Sequence, residues 1–214
     1  MANQPTLYGM SGSRALRSIW AIEEAEIDYT HVPTHFMIEV KEPDYLEINP
    51  NGRVPCLVDG ELTLFESMAI NLYIAEKYAP HLLPEGLALR AQAMQWSVWV
   101  MTEIEQYQMN FVTQRFFRAP EERDEEVLNV STEKLQRPLK VLDAKLASQP
   151  YLLGETFSIA DLNVAGVMRV MFLMEFDLSA YANVTDWLKR CYDRPAFERA
   201  QSKDNRPFQR SAEA

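Results

Sequence analysis

The sequence has little cysteine and little histidine, and the few that occur are scattered. Among its 214 residues there are two cysteines, Cys56 and Cys191, and three histidines. Two distant cysteines provide neither a disulfide framework nor a CxxC pair, which excludes a dithiol redox motif and fits a reducing, cytoplasmic compartment. The histidines have no partners at zinc-site spacing, so we expect no metal.

Long hydrophobic runs and basic clusters are also missing. The most apolar stretch, residues 163–174, is short and interrupted by Arg169, and residues 1–9 have neither a basic flank nor an apolar core. We therefore expect no membrane-spanning helix and no secretory signal. The formal net charge is −10. An acidic chain repels phosphate backbones, so nucleic-acid binding is not expected.

Residues 1–78 alternate between strand-like and helix-like patterns of apolar residues. The predicted elements are, in order, a strand, a helix, a strand, an irregular charged segment, two strands and a helix, at residues 6–9, 11–27, 29–36, 39–50, 54–58, 62–65 and 67–78. Asp59-Gly60 separates the last two strands and is typical of a tight hairpin, because such turns need positive φ. This order predicts an α/β domain with a mixed sheet.

The remainder of the chain predicts helices only. Residues 79–86 contain two prolines and a glycine and are interpreted as a linker. Beyond them, apolar residues recur every three or four positions in two long stretches, and Pro138 is expected to kink the second. Ser158 and Asp161 have the spacing of an N-terminal capping box. We predict an all-helical domain over residues 87–214.

Val54-Pro55 opens the third strand with a proline, which removes one donor from the strand ladder. A cis bond is accessible before proline at a cost of only ~0.5–1 kcal/mol. Such a turn would leave the N–H and C=O of Val54 without neighbours, where a peptide-like ligand could pair with both. For this dipeptide alone, a simple strand start is the alternative.

Glu66-Ser67 stands at the predicted start of the next helix. The Ser67 hydroxyl and the free N–H groups of a first helical turn form an anion site at the positive end of the helix dipole. Glu66 can hold an ammonium group, so the pair suits the head of an amino acid; a capping serine after a surface glutamate is the alternative. Four cations in this part of the chain could attract an anionic ligand: Arg14, Arg17, Lys41 and Arg53.

Residues 49–78, NPNGRVPCLVDGELTLFESMAINLYIAEKY, resemble the glutathione-binding region of the cytosolic glutathione transferases. Gly154 and the stretch from Ser158 to Asp161 resemble that family's capping box, and residues 194–200 resemble its final helix. The resemblance covers nearly the whole chain. It implies a thioredoxin-like N-terminal domain, an all-α C-terminal domain and a homodimer.

The resemblance also implies which residues bind glutathione, the co-substrate. Ser67 and Glu66 would bind its γ-glutamyl end. Val54, held by the cis bond to Pro55, would bind the cysteinyl backbone.

At the glycyl end, the resemblance implies that Lys41 and Arg53 bind the carboxylate. The family often has His or Gln before this lysine, whereas Val40 stands here. We therefore expect weaker binding at the glycyl end.

The resemblance places the reaction centre in the loop after the first strand. In serine-type members, similar to the theta and phi classes, the active hydroxyl is the seventh residue of a run that begins at the strand's leucine, which here is Ser13. Ser11 is the near competitor. Tyr8 fits the position of the tyrosine-type phenol poorly, and no thiol stands at the position used by cysteine-type members.

The nucleophile in this reaction is the glutathione sulfur, which must be a thiolate. Lowering a thiol pKa from ~8.5 by two units needs ~2.7 kcal/mol. A hydroxyl hydrogen bond to a charged acceptor supplies ~1.5–3 kcal/mol, and a helix N-terminus adds ~0.3–1 kcal/mol. We expect Ser13 to donate to the sulfur, assisted by the amide of Arg14. A purely capping Ser13 is the alternative.

The electrophile site is predicted to draw on both domains. Its candidate lining residues are Met10, Tyr107, Phe111, Arg115 and Phe116. Core positions are the alternative, because methionine and aromatic stripes at helical spacing are often buried.

The expected function is a glutathione transferase that conjugates small apolar electrophiles, with hydroperoxide reduction by the same thiolate as a second activity. A relative that has lost catalysis and serves as a protein-interaction or regulatory module is the alternative from another class. A glutathione-dependent isomerase is a third interpretation, although its "SSCSxR"-like start is not present. The sequence does not identify the natural electrophile.

Overall fold

The computed structural model describes residues 4–174 and 176–203, which divide into two compact units. Unit 1 contains residues 4–83 and 192–203. Unit 2 contains the described residues from 84 to 191. In the part of the chain described, no helix is both long and apolar enough to cross a bilayer.

Unit 1 is built on a four-stranded mixed sheet, which confirms the predicted α/β class. The strands are β1 (Thr6–Tyr8), β2 (Thr30–Val32), β3 (Cys56–Asp59) and β4 (Leu62–Phe65). They are arranged in the order β2-β1-β3-β4, with β1 and β2 parallel and the other pairs antiparallel. The helices along this stretch are α1 (Ala15–Glu24), α2 (Pro43–Ile48) and α3 (Ser67–Lys77).

Helix α2 lies in the segment that the sequence predicted to be irregular. Pro43 occupies its first turn, where a missing N–H is harmless. Tyr45 is its only buried residue. A six-residue helix with one buried side chain has no apolar stripe, so periodicity could not reveal it.

Unit 2 is entirely helical over its described elements, as predicted. Its helices are α4 (Leu87–Val100), α5 (Gln106–Val112), α6 (Glu125–Leu146), α7 (Ile159–Leu173) and α8 (Ala182–Tyr192). The last residue of α8, Tyr192, is where the chain returns to unit 1. π-Helical turns at Met101–Glu105 and Thr113–Phe117 extend α4 and α5, and α6 runs unbroken through Pro138.

The last helix, α9 (Pro195–Ser202), packs in unit 1, although the sequence placed it within a helical domain over residues 87–214. Phe197 is buried with its ring 4.7 Å from that of Trp20 in α1. Arg194 donates two hydrogen bonds, of 2.6 and 2.7 Å, to the Glu24 carboxylate. These contacts join residues about 170 positions apart, which no local pattern predicts. Residues 204–214 of the predicted domain lie outside the described residues.

A second charged pair fastens α9 to the end of α1. The buried Glu23 carboxylate accepts from Arg199 at 2.8 Å and from the Tyr29 hydroxyl at 2.7 Å, and Lys203 lies 3.2 Å away. Burial raises the pKa of Glu23, but the hydrogen bonds from these three partners outweigh it and hold the pKa below its ordinary value of 4.5. A carboxyl with a lowered folded pKa stabilises the fold at higher pH.

Glu23→Gln is therefore expected to lower the free energy of unfolding at pH 7 by about 1 to 3 kcal/mol, because charge-assisted hydrogen bonds are lost. The difference from the wild type should shrink below pH 4.5, as the native carboxylate takes up its proton and its contribution disappears. Urea unfolding at pH 7 and at pH ~3.5 measures both values. A difference that stays constant with pH would assign the effect to packing.

Candidate active site

The loop after β1 passes close to the start of α1 and to the strand entry at Val54. Gly9 has φ +136°, and an added β-carbon would lie 2.3 Å from the Ala15 Cβ and 3.3 Å from the Val54 Cβ. Only glycine fits this close approach. Gly9 therefore brings the serine-containing loop and the Val54 segment together.

Ser13 lies two residues before the first residue of α1, and its hydroxyl both donates and accepts a hydrogen bond. Its Oγ donates to the Met10 carbonyl oxygen at 2.8 Å and accepts from the Ala15 N–H at 3.1 Å. The second contact is the capping role considered from the sequence. To donate to a sulfur anion, the hydroxyl would exchange the Met10 carbonyl for a charged acceptor, and hydrogen bonds to charged acceptors are about twice as strong. Ser11 is half-buried in the same loop.

The predicted cis bond between Val54 and Pro55 is present. Among the described residues, nothing hydrogen-bonds the N–H or the C=O of Val54. The carbonyl of the preceding Arg53 is held twice at 2.7 Å, by the Tyr45 hydroxyl and by the Asn49 side-chain amide. The backbone of Val54 is thus available to a ligand, next to a firmly fixed carbonyl.

Tyr45 and Asn49 were not among the predicted site residues, and the signals for them were weak. Asn49 opens an Asn-Pro-Asn-Gly turn, which indicates a turn but not a contact. Tyr45 lies in the unpredicted helix α2. Both bind the Arg53 carbonyl, so they fix the backbone next to Val54.

Ser67 is the first residue of α3, as the sequence predicted, and it is buried. Within the described chain, the N–H groups of Ser67 and Met68 have no acceptor, as expected for a first helical turn. A guanidinium nitrogen of Arg17, a residue that is 2% exposed, lies 3.5 Å from the Ser67 Oγ. Open N–H groups, a hydroxyl and a nearby buried cation are groups that suit an anion.

Glu66, which precedes α3, is exposed and has an unusual backbone conformation. Its φ is 70° and its ψ is 112°, a backbone conformation that residues other than glycine rarely adopt. Such a conformation costs about 1 to 3 kcal/mol and tends to occur at ligand sites. The strain occurs at the residue predicted to bind an ammonium group.

Glu66→Gly is expected to separate stability from binding. Glycine relieves the strain but has a larger unfolded-state entropy, so the free energy of unfolding should rise by about 1 kcal/mol. The affinity for glutathione should fall, because the carboxylate is lost. Chemical unfolding and calorimetric titration measure the two effects. Glu66→Gln is the control, with weaker binding at unchanged stability, and a destabilised glycine variant would contradict the strain argument.

Lys41 and Arg53 are exposed cations on adjoining segments. Gly52, with φ +57°, lies so close to the Val40 carbonyl that an added β-carbon would be 3.1 Å from that oxygen. No acidic group forms an ion pair with Lys41 or Arg53 in the described part of the chain. The two cations are therefore available to an anionic ligand.

The five predicted electrophile-site residues differ in exposure. Met10 is 1% exposed, and Phe111 is buried edge-on against Phe176, with ring centroids 5.4 Å apart. Met10 and Phe111 are therefore core residues, which was the alternative interpretation, because buried side chains offer a ligand little surface. Arg115 is exposed but donates to the Met174 carbonyl at 2.8 Å. Tyr107 is half-buried and Phe116 exposed.

Other chemical groups offer no competing centre in the described structure. Burial raises the pKa of the Cys56 thiol to about 11, so it is not a thiolate at neutral pH. In residues 4–174 and 176–203, no group of three or more His, Cys, Asp or Glu side chains could hold a metal.

Comparison with known proteins gives matches in both halves of the chain. The family model described as "Glutathione S-transferase, N-terminal domain" matches residues 3–76, and that described as "Glutathione S-transferase, C-terminal domain" matches residues 106–195. The chain is 38% identical to Glutathione S-transferase 1 of Zea mays over 202 residues, which cover 90% of this chain and 94% of that protein.

Solved structures agree over similar lengths. A theta class glutathione S-transferase from Xanthomonas axonopodis pv. citri with glutathione bound has a TM-score of 0.86 and 30% identity, covering 95% of this chain and 99% of that one. A glutathione S-transferase-I bound with lactoylglutathione has a TM-score of 0.83 and 34% identity, covering 93% and 99%.

Proposed function

This chain belongs to the glutathione S-transferase family, and from that premise we propose that unit 1 binds glutathione, keeps its thiol ionised and transfers it to small apolar electrophiles. The observation that carries the proposal is the close approach at Gly9, which joins the Ser13 loop to the Val54 backbone. A peptide backbone held by Val54 has its sulfur next to this loop.

The three ends of glutathione meet complementary groups. The γ-glutamyl carboxylate suits the open N–H groups and hydroxyl of Ser67, and the ammonium suits Glu66. The cysteinyl unit pairs with the N–H and C=O of Val54, next to Pro55, as one strand pairs with another. The glycyl carboxylate suits the available cations Lys41 and Arg53.

Ser13 stabilises the thiolate in this proposal. Its hydroxyl leaves the Met10 carbonyl and donates to the sulfur anion, while the N-terminal end of α1, including the Arg14 amide, adds positive potential. No general base is needed once the anion is favoured. The sulfur then attacks the electrophile and forms a thioether, while a halide leaves a halo-aromatic or the C–O bond of an epoxide opens and its oxygen takes up a proton. With a hydroperoxide the same anion attacks an oxygen, the O–O bond breaks and an alcohol leaves. The sulfenic acid formed on glutathione then reacts with a second glutathione to give the disulfide and water.

The electrophile contacts are proposed for the candidates with accessible surface in unit 2, which are Tyr107, Arg115 and Phe116. The aromatic faces of Tyr107 and Phe116 suit small apolar molecules, and the accessible surface of all three residues is the support for the assignment.

Calorimetric titration with glutathione, followed by assays with halo-aromatics, epoxides, isothiocyanates and hydroperoxides, tests the function. We expect binding below millimolar concentration and turnover of at least one class. Binding without turnover would favour a regulatory module with this fold. No binding at millimolar glutathione would refute both the enzyme and the ligand site.

We also propose a homodimer and a cytoplasmic location. Exposed apolar side chains on α4 (Met94, Val98) and on β4 (Phe65) offer surface for a second copy. The two cysteines form no disulfide, and both are buried, which suits a reducing compartment. Sedimentation of the purified protein tests the dimer, and a single monomeric species at micromolar concentration would refute it.

A further inference from the structure

His31 is a half-buried histidine in the edge strand β2, and its side chain reaches the loop after β1. Its Nε2 atom lies 2.7 Å from the Gly9 carbonyl oxygen. A carbonyl oxygen only accepts hydrogen bonds, so Nε2 carries a proton and donates it. The charged ring and one neutral tautomer both have this proton, so the contact is compatible with either charge state. The hydrogen bond links the edge of the sheet to the loop that contains Ser13.

Gly9 is bound to β2 through both of its backbone polar groups. Its N–H donates to the Val32 carbonyl at 3.0 Å, and its carbonyl accepts from His31. Glycine has a wider choice of backbone conformations than any other residue, so its own sterics do not fix the direction of its carbonyl. The hydrogen bond from His31 therefore selects one orientation of the peptide unit between Gly9 and Met10.

This peptide unit leads directly to the serine. Because a peptide unit is planar, fixing the Gly9 oxygen also fixes the plane from which the chain continues at Met10. The Met10 carbonyl in turn accepts from the Ser13 N–H at 3.1 Å and from the Ser13 Oγ at 2.8 Å. The position of the Ser13 hydroxyl thus depends, through Gly9 and Met10, on the contact made by His31.

We propose that His31 is a positioning residue of the reaction centre, which places the Ser13 hydroxyl for donation to the glutathione sulfur by holding the Gly9 carbonyl. The inference rests on the proposed function, because it takes glutathione as the ligand and Ser13 as the donor. His31 contacts Gly9 and not the ligand. Its removal should therefore change the acidity of the bound thiol and leave the contacts at Val54 and Ser67 intact.

Two variants of similar side-chain length separate this role from a general effect on the fold. His31→Gln keeps an N–H donor at about the reach of Nε2, and His31→Met removes the donor. His81→Met is the matched control, because His81 is an exposed histidine in the 3₁₀ turn Pro80–Leu82 after α3. The pKa of the bound glutathione thiol is measured from the ultraviolet absorbance of the thiolate, and thermal unfolding shows whether each variant is folded.

His31→Met is expected to raise the pKa of the bound thiol by about 0.5 to 1 unit, a ~3- to 10-fold loss in its acid constant, because the hydroxyl is less well placed. The dissociation constant of glutathione at pH ~5, where the thiol is protonated, should change less than ~2-fold. His31→Gln and His81→Met should keep the wild-type pKa of the bound thiol. An unchanged pKa in His31→Met, or an equal rise in His31→Gln, would overturn the inference.

A combination with Ser13→Ala tests whether His31 acts through the serine. Without the hydroxyl there is nothing to place, so adding His31→Met to Ser13→Ala should raise the thiol pKa by less than about 0.2 unit further. A rise of the same size in both backgrounds would show that His31 acts independently of Ser13, which also overturns the inference.

The same measurements separate failure of the inference from failure of the function. If His31→Met does not fold, His31→Val, whose β-branched side chain suits a strand, takes its place, and failure of both to fold would overturn the inference in favour of a structural role. A wild-type protein that does not bind glutathione refutes the proposed function. A wild-type protein that binds it and lowers the thiol pKa, while His31→Met lowers it equally, refutes only the role of His31.

Discussion

Asp161→Ala is expected to lower the free energy of unfolding by about 4 kcal/mol, because it leaves buried donors without an acceptor. Asp161 is fully buried and accepts four hydrogen bonds. Its Oδ1 accepts from the Leu152 N–H at 2.8 Å and from the Trp187 indole N–H at 2.9 Å. Its Oδ2 accepts from the N–H of Ser158 at 3.0 Å and from its hydroxyl at 2.7 Å.

The size of the expected loss in unfolding free energy depends on which donors are left without an acceptor. Leu152 and Trp187 are fully buried, so neither N–H can turn to water after the substitution. Each unsatisfied buried donor costs about 1 to 3 kcal/mol. Since a domain is stable by only about 5 to 15 kcal/mol, the variant should unfold at markedly lower denaturant concentration.

Two substitutions serve as controls for Asp161→Ala. Ser158→Ala removes only the hydroxyl bond and should cost about 1 kcal/mol. Asp161→Asn keeps one oxygen acceptor and should fall between the two alanine variants. Guanidinium unfolding followed by Trp fluorescence and by far-UV circular dichroism gives the order. Equal losses for Ser158→Ala and Asp161→Ala would mean that the bonds to Leu152 and Trp187 contribute nothing.

The sequence predicted the parts of the fold that repeat locally or that are set by one or two special residues. The hairpin at Asp59-Gly60, the Ser158 cap and the start of α3 at Ser67 are all present. Each depends on turn or capping residues that lie within a few positions of one another, so neighbouring residues in the sequence determine it.

Contacts between distant segments could not be predicted in this way. Asp143 in α6 caps the start of α8, accepting from the N–H groups of Asn183 and Val184 at 2.9 and 3.2 Å. The ion pair between Arg194 and Glu24 likewise joins segments near opposite ends of the chain. Such pairs leave no periodic signal, because in the sequence Asp143, Glu24 and Arg194 look like ordinary surface charges.

The candidate site shows the same division. Glu66, Ser67 and Val54 could be predicted as site residues, because a proline follows Val54 and the Glu66-Ser67 pair stands at a helix start. The Arg53 carbonyl, fixed by Tyr45 and Asn49, depends on packing across a loop. Sequence patterns therefore pointed to the candidate ligand-binding groups, but not to the residues that fix the neighbouring backbone.

Ser13→Ala is expected to raise the pKa of bound glutathione by about 1 to 2 units, because the anion loses a hydrogen bond from a hydroxyl. If the native complex ionises near pH ~6.5, two units below a free thiol, the thiolate fraction at pH 6.5 falls from about one half to between 1 and 9%. Conjugation at pH 6.5 should therefore drop roughly 5- to 50-fold.

The same variant should be almost unimpaired at pH 9, where the thiol is mostly ionised without help. A thiolate of higher pKa is also more nucleophilic, which offsets the small remaining deficit. A pH–rate profile with saturating glutathione measures both effects, with Ser13→Thr as the control that keeps a hydroxyl and Ser11→Ala as the test of the competing assignment.

The loss of the bond to Ala15 weakens the start of α1 by about 0.5 to 2 kcal/mol, so the Ser13→Ala variant must first be shown to be folded. A loss that is equal at both pH values would make Ser13 a positioning residue, and a pH-dependent loss in Ser11→Ala alone would move the thiolate contact to Ser11.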